Sequence, residues 1–333
     1  MAAISPSQIV DSILDAIHQS GETGAYVSST PRTHPRKFQI SHQGSKHSLW
    51  VYIWTLTHGG RPSLPDEFRI QMTSVSSPLD INPNGLTVLL GYFPSLKMFA
   101  GFDLNKHREF TTGSPSVQID LSAIHDALQN GLSFFVKSND EVAIGVSPEQ
   151  LAYYCVNAQS LHEHGSDTGI KDLLVKASES GDVTADVELL AEERKRLVST
   201  VSRLSRDSGF KRRVKNAYDN RCAVTRAQLR LIDAAHILPV PSEESSDLVT
   251  NGISLSPTYH RAYDNCLIYL DTDLKMQLNP QKAQALVDSN IGDGLPELEA
   301  LLNQRIHLPL DSNQRPNVEY IRLANKYRRI PGY

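Results

Sequence analysis

Two histidines and an asparagine stand in fixed order in the stretch RCAVTRAQLRLIDAAHILPVPSEESSDLVTNGISLSPTYHRAYDNCLIYLD: His236, Asn251 and His260. An imidazole titrates near pH 6.5, so His236 can take a proton from water at neutral pH. His260 and Asp264 are four apart, which on a helix projects both side chains from one face about one turn apart, where they can share a divalent ion. A third ligand has to come from the strand before them, and Asp233, three residues ahead of His236, is the nearby carboxylate on it. Phosphodiester hydrolysis needs a nucleophilic water, a base to deprotonate it, and a cation for charge on the phosphorane and leaving oxygen. His236 would be the base, and Asp233, His260 and Asp264 the cation site. Asn251 is expected to stand back from the reacting atoms, because an amide that both donates and accepts suits it to pin the loop backbone beside His236.

Those groups need a frame. LRLIDAAHILPV reads as a strand running into a loop, DLVTNGISLS as a second strand after a turn, and SPTYHRAYDN as the helix that follows, a β-β-α order. Asn251 and Gly252 also form an ordinary turn dipeptide, a reading that competes for Asn251 taken alone. Upstream, DVELLAEERKRLVSTVSRLSRDSG reads as a connecting helix ended by Gly209, and FKRRVKNAYDN as a second helix. This region is locally basic: Arg203, Arg206, Lys211, Arg212, Arg213, Lys215, Arg221, Arg226 and Arg230 face only Asp207 and Asp219. Lys211, Arg212, Arg213, Lys215, Arg221 and Arg226 are the candidates for tracking phosphates. The C-terminal NKYRRIPGY is a second basic cluster with a weaker claim.

The pattern resembles the HNH, or ββα-metal, nucleases. Gaps of 15, 9 and 4 residues between His236, Asn251, His260 and Asp264 match those of the colicin-type toxin DNases in that group. FKRRVKNAYDNRCAVT, DAAHILP and NGISLSPTYHRAYD are similar to HNH domains at the C-termini of bacterial restriction-type endonucleases. The resemblance covers about residues 205 to 315 and includes LPLDSNQRPNVEYIRLANKYR as a closing segment. It implies metal-dependent hydrolysis of double-stranded DNA, and a homodimer is expected because cutting both strands usually takes two active sites. Many relatives carry Asp or His immediately before the catalytic histidine; this chain has Ala235, and Asp233, two residues away on the same strand face, is expected to substitute. A carboxylate-rich set favours Mg or Mn, with Ni or Zn as alternatives.

At 333 residues with 40% hydrophobic content, the chain has apolar surface for two cores. A net charge of −4 gives no overall basic excess, so any nucleic-acid surface must be local. Cys155, Cys222 and Cys266 form no C-x-x-C pair, which argues against a zinc knuckle or disulfide framework and fits a reducing, cytoplasmic setting. MAAISPSQIVDSILDAIHQSG reads as an amphipathic helix instead of a signal peptide, and no apolar run reaches bilayer length. Residues 38 to 150 read mainly as strands, with SAIHDALQNG a short helix closed by Gly131 and SPEQLAYYCVNAQSLHEHG a helix that ends the module.

The expected class is α+β: a β-rich, barrel-like DNA-recognition domain over 1–160, a linker and connecting helix over 161–204, and the HNH domain over 205–333. Within the first domain, His34, Arg36, Lys37, Trp50, Trp54, His58 and Arg61 mix basic and aromatic groups in a way that suits phosphate contact and base stacking. Alternating strands explain the tryptophans equally well as core. PDEF at 65–68 lacks the lysine of a second nuclease motif. By architecture this part resembles specificity modules that precede HNH domains in restriction enzymes, some of them β-barrels that read a modified or flipped base. His125, His162, Cys222 and Cys266 read as core residues.

The leading expectation is a restriction-type DNA endonuclease, with dependence on a modified base left open. One alternative is a defence effector whose N-terminal domain senses a ligand or partner and releases nonspecific cleavage. Another is a noncatalytic DNA-binding protein with a decayed nuclease fold, motivated by Ala235.

Overall fold

The structure, a computed structural model, describes residues 4–333 apart from 112, 138, 140, 166, 168–169, 181–189 and 230. The chain divides into two compact units, Met1–Ser208 and Gly209–Tyr333. Part of the expected linker, 181–189, and Arg230 of the basic stretch lie outside the described residues.

The first unit opens with helix α1 (Pro6–Gln19), started by a reciprocal cap in which Ser5 and Gln8 each accept from the other's backbone N–H. Ten strands follow: β1 (Gly24–Tyr26), β2 (Arg36–His42), β3 (Ser45–Thr55), β4 (Thr57–His58), β5 (Glu67–Gln71), β6 (Leu86–Phe93), β7 (Met98–Phe102), β8 (Ser116–Asp120), β9 (Leu132–Val136) and β10 (Val142–Val146). Seven form one sheet in the order β1-β2-β3-β6-β7-β10-β9, and β4-β5-β8 form a smaller one. Every pairing in the large sheet is antiparallel except β3 with β6, which runs parallel from Leu49 opposite Leu86 to Thr55 opposite Tyr92. A parallel pair needs a long crossover, and here it is the segment that carries β4 and β5.

Alternation along β3 assigns its residues to two cores: Leu49, Val51 and Ile53 join one cluster, Tyr52 the other. Strands β7 and β10 are buried at every residue, which is why MFAGF and VAIGV are continuous apolar runs. Helix α2 (Leu104–His107) is short, and α3 (Leu121–Asn130) ends at Gly131, as the sequence predicts, with a φ of 85° that favours glycine. Helices α4 (Leu151–Gly165) and α5 (Lys171–Ser180) follow. His162 of α4 is a satisfied core histidine, bonded to the Tyr154 hydroxyl at 2.9 Å and the Val142 carbonyl at 3.0 Å. The large sheet ends at β1 and β9 without closing, so the unit is a mixed α/β sheet domain and the barrel-like expectation finds no support.

Helix α6 (Glu192–Ala217) is continuous through Gly209, where two separate helices were expected. The residues after the glycine decide this: Phe210 and Val214 are buried in the core of the second unit. That burial outweighs the roughly 1 kcal/mol that a glycine costs inside a helix. The second unit then forms a two-stranded ribbon, β11 (Asp233–His236) with β12 (Gly252–Leu255), pairing Asp233 with Leu255 and His236 with Gly252. Helix α7 (Pro257–Asp264) completes β-β-α, in strands shorter than the sequence suggested because residues 249–251 form a tight turn. At Gly252 a Cβ would run into Val214 of α6, so glycine lets the helix approach the ribbon.

A hairpin follows, β13 (Ile268–Leu270) with β14 (Met276–Leu278), and then helices α8 (Pro280–Asp288), α9 (Leu295–Glu299) and α10 (Val318–Tyr327). Arg328, just past α10, lies 4.2 Å above the Tyr263 ring and donates to the Ile237 carbonyl at 2.7 Å. One member of the C-terminal basic cluster is therefore scaffold.

Candidate active site

His236 ends β11, and its ring lies face to face on Phe210, with centroids 3.7 Å apart and planes 10° from parallel. Its Nε2 is 2.9 Å from Oδ1 of Asp247. An ionised carboxylate only accepts, so whenever the ring is neutral this bond places its hydrogen on Nε2 and leaves the lone pair on Nδ1. Asp247 is itself tied down, since its backbone carbonyl accepts from Arg213 Nη2 at 3.0 Å. Stacking thus sets the plane of the imidazole, and the carboxylate sets its rotation and tautomer.

Asn251 is fully buried and its amide is spent on the loop between the two strands. Oδ1 accepts from the Leu238 N–H at 2.8 Å, while Nδ2 lies within reach of the Leu238 carbonyl at 3.2 Å, Ser245 Oγ at 3.2 Å and the Ser246 carbonyl at 2.9 Å. The tied segment begins just after His236 and ends beside Asp247, so one side chain links the base to its carboxylate partner.

On α7, His260 meets two carboxylates. Nδ1 is 3.2 Å from Asp233 Oδ2, and Nε2 is 3.3 Å from Asp264 Oδ2. The hydrogen bond from His260 holds the Asp233 carboxyl below its ordinary range, with Lys215 and Lys211 adding to the effect against partial burial. The same bond raises His260, again against burial. All three expected ligands therefore gather at one ring, but on its two sides. An imidazole gives one nitrogen to an ion and uses the other to bind an orienting acceptor, so as arranged one carboxylate can share an ion with the ring while the other holds it. Among the described residues, no group of three or more His, Cys, Asp or Glu side chains converges as a ready metal cage. Ala235 is buried opposite Ile253, as part of the core.

The basic stretch separates by role. Lys211 and Lys215 act electrostatically on Asp233, so their charge reaches the His260 cluster. Arg213 is committed to the Asp247 carbonyl, and Arg221 lies 3.3 Å from Asp219. Arg212 is half-buried and Arg226 exposed. In the first unit, Arg36 is only 3% exposed and donates to the carbonyls of Pro31 and Ile53, which removes it from any phosphate surface. Lys37 sits 4.4 Å over Trp50, His58 bonds to the Pro65 carbonyl at 2.8 Å, and Arg61 lies 3.8 Å from Glu67.

Sequence reasoning missed Phe210, Asp247 and the Arg213 link. The available signal was DLVTNG: a loop pinned by the asparagine at its end has to fold back on the strand it left, which brings Asp247 toward His236.

Residues 222–271 match a family described as HNH endonuclease, and residues 47–155 match one described as Methylase-associated X1. No curated protein matches the chain. Among solved structures, one described as a modification dependent TagI restriction endonuclease aligns over 84% of this chain and 81% of that chain, at 13% identity and a TM-score of 0.27. A likeness that distant does not bear on the reading.

Proposed function

We propose that this chain, a nuclease by virtue of its HNH endonuclease domain, cuts double-stranded DNA as a restriction-type enzyme with His236 as general base. The observation that carries this reading is the setting of His236, stacked on Phe210 and bonded through Nε2 to Asp247. Nδ1 takes the proton of the attacking water, and Asp247 stabilises the imidazolium that results. Asn251 acts on His236 only through the loop, as a positioning residue.

HNH endonucleases generally use a divalent ion, and the donor set here fits one. His260 Nε2 and Asp264 Oδ2, 3.3 Å apart on one helix face, are spaced as two ligands of a single ion. Asp233, bonded to the opposite nitrogen, then orients the ring, a narrower role than the ligand the sequence suggested. When bound, the ion would supply charge neutralisation at the scissile phosphate and leaving oxygen; the Asp264 carboxylate suits Mg or Mn, and the His260 imidazole leaves Ni or Zn as alternatives. Lys211, Lys215 and the exposed Arg226 draw the phosphate backbone toward this face.

The domains are taken as 1–160 for recognition and 205–333 as nuclease; the 161–204 segment, expected as linker and connecting helix, contributes Ile170, Leu174, Leu197 and Val201 to the core of the first unit. The Methylase-associated description of the N-terminal match favours restriction over a nonspecific effector, because restriction nucleases work alongside DNA methylases. No helix among the described residues is long and apolar enough to cross a membrane, and all three cysteines are free. Cleavage of both strands points to a homodimer.

Unmodified, cytosine-modified and phosphorothioated plasmids, each digested with Mg, Mn, Ni and Zn, test this reading. Discrete fragments are expected, confined to one plasmid class if a modified base is required. A smear on all plasmids would favour the effector, and intact DNA with every metal would leave the noncatalytic alternative.

A further inference from the structure

The first unit holds a cavity of about 450 Å³ bordered by His34, Tyr52, Ser74, Ser76, Leu79 and Asp80. That volume lies within the roughly 300–1,000 Å³ of small-ligand pockets. Three rings are nearly parallel here: His34 and Tyr52 border the cavity, and Trp54 stacks on His34. His34 is 4.2 Å from Trp54 at 30° and 6.0 Å from Tyr52 at 18°, while Tyr52 and Trp54 are 6.4 Å apart at 14°. Tyr52 and Trp54 are alternate residues of β3, so they share a face of the strand. Both are locked to the loop that borders the cavity: the Tyr52 hydroxyl donates to the Asp80 carbonyl at 3.1 Å, and Trp54 Nε1 donates to the Thr73 carbonyl at 3.3 Å.

His34 has an unusual hydrogen-bond balance. The Arg36 guanidinium, always a donor, lies 2.6 Å from its Nε2. Nε2 also lies 2.9 Å from the Ile53 carbonyl, so it meets a donor and an acceptor at once, and neither contact alone sets the tautomer. The ring is neutral: burial, reinforced by Arg36, pushes its pKa down to about 4, against the bond to the Ile53 carbonyl. Yet Nδ1 is buried with no partner in the protein. A buried ring nitrogen without a partner, whether it donates or accepts, is costly and calls for an explanation such as a missing ligand.

We propose that this cavity binds a nucleobase, a flat nitrogen heterocycle that stacks on the ring array, pairs with His34 Nδ1, and meets Asp80, Ser74 and Ser76 with its polar edge. Near-parallel rings suit a planar guest, whereas a cage for an alkylated ammonium group needs rings set at steep angles around it. Stacking tolerates any base, and the polar edge groups provide the selection. The inference rests on reading the first unit as a recognition module for DNA, with the base turned out of a duplex. A free nucleotide would present the same chemistry.

The test uses the full chain carrying His236→Ala, so that DNA stays intact. Probes are short duplexes with one unpaired 2-aminopurine, cytosine, 5-methylcytosine or N6-methyladenine, the same duplexes fully paired, and free nucleoside monophosphates. Trp54→Leu should weaken binding of the duplexes with an unpaired base about 10- to 100-fold. Trp54→Phe should restore most of that loss, and wild-type Trp54 should quench the 2-aminopurine. Monophosphates competing as strongly as the duplexes would support the pocket with a free nucleotide as its source; weak competition would support the extruded base. Absence of quenching with every probe overturns the proposal, whether or not Trp54→Leu folds. So does unchanged affinity in a Trp54→Leu protein of normal melting temperature. Plasmid cleavage by the unmutated chain is scored separately: cutting without base capture removes only the pocket, and capture without cutting removes only the nuclease reading.

Discussion

Asp247 places Oδ1 2.9 Å from Nε2 of His236, so a loop carboxylate decides which ring nitrogen of the proposed base carries its hydrogen. Asp247→Asn keeps the shape of the side chain but loses the charge, and an amide can present its NH2 where an acceptor is needed. Single-turnover cleavage should slow about 10- to 100-fold, the usual loss for an orienting partner, with DNA affinity unchanged. An unaltered rate would remove Asp247 from the mechanism.

Arg213 and the two nearby lysines should separate in the same assays. Arg213→Ala releases the Asp247 carbonyl, so it should lower the cleavage rate more than the affinity. Lys211→Ala with Lys215→Ala should weaken binding to all sequences and flatten its salt dependence by roughly 0.9 log-slope units per lost phosphate contact. A salt slope identical to that of the unmutated protein would make the lysines a solvated face.

The two carboxylates around His260 should differ in a metal titration of cleavage. Asp264→Asn removes a direct ligand and should raise the half-maximal metal concentration most. Asp233→Asn replaces the charged acceptor on Nδ1 with a neutral amide and should raise it less, about 10- to 100-fold, with excess metal restoring part of the rate. If the two variants trade places, Asp233 is the ligand. If both curves coincide with wild type while melting falls, neither carboxylate serves the ion.

Glu141 offers a test of the first unit alone. The residue is buried, and burial pushes its carboxyl upward, but hydrogen bonds from His107 at 2.6 Å and Lys137 at 2.8 Å prevail and hold it at about 2. A depressed carboxyl contributes stability above its unfolded pKa, near 4.5, and loses it as pH falls through the folded value. Glu141→Gln should therefore cost about 3 kcal/mol at neutral pH. The gap from wild type should close between pH 4.5 and 2, as read by denaturant melts. A gap independent of pH would show that the ion pairs contribute nothing.

What the sequence made legible was local. His236, Asn251, His260 and Asp264 could be found because β-β-α places residues by chain spacing, and one helical turn joins His260 to Asp264 whatever surrounds them. The apolar runs of β6, β7 and β10 were equally plain as strands. Tertiary contacts were not legible. Gly209 looked like a helix stop until Phe210 and Val214 were seen buried in the second core. Arg36 and Arg328 looked like surface cations, but each spends its guanidinium on backbone carbonyls. Sheet closure depends on which strands lie at the edges, which alternation within a strand does not encode; β1 and β9 remained apart.

His236→Ala is the most direct test. Cleavage of a plasmid cut by the unmutated chain should fall by about 10²–10⁴-fold in Mg or Mn, because a general base contributes that much to rate. Affinity for the same DNA, measured without metal, should stay within a few-fold, since His236 makes none of the proposed phosphate contacts. Cleavage by His236→Ala at the wild-type rate, from a preparation free of contaminating nuclease, would contradict the assignment of His236 as the base.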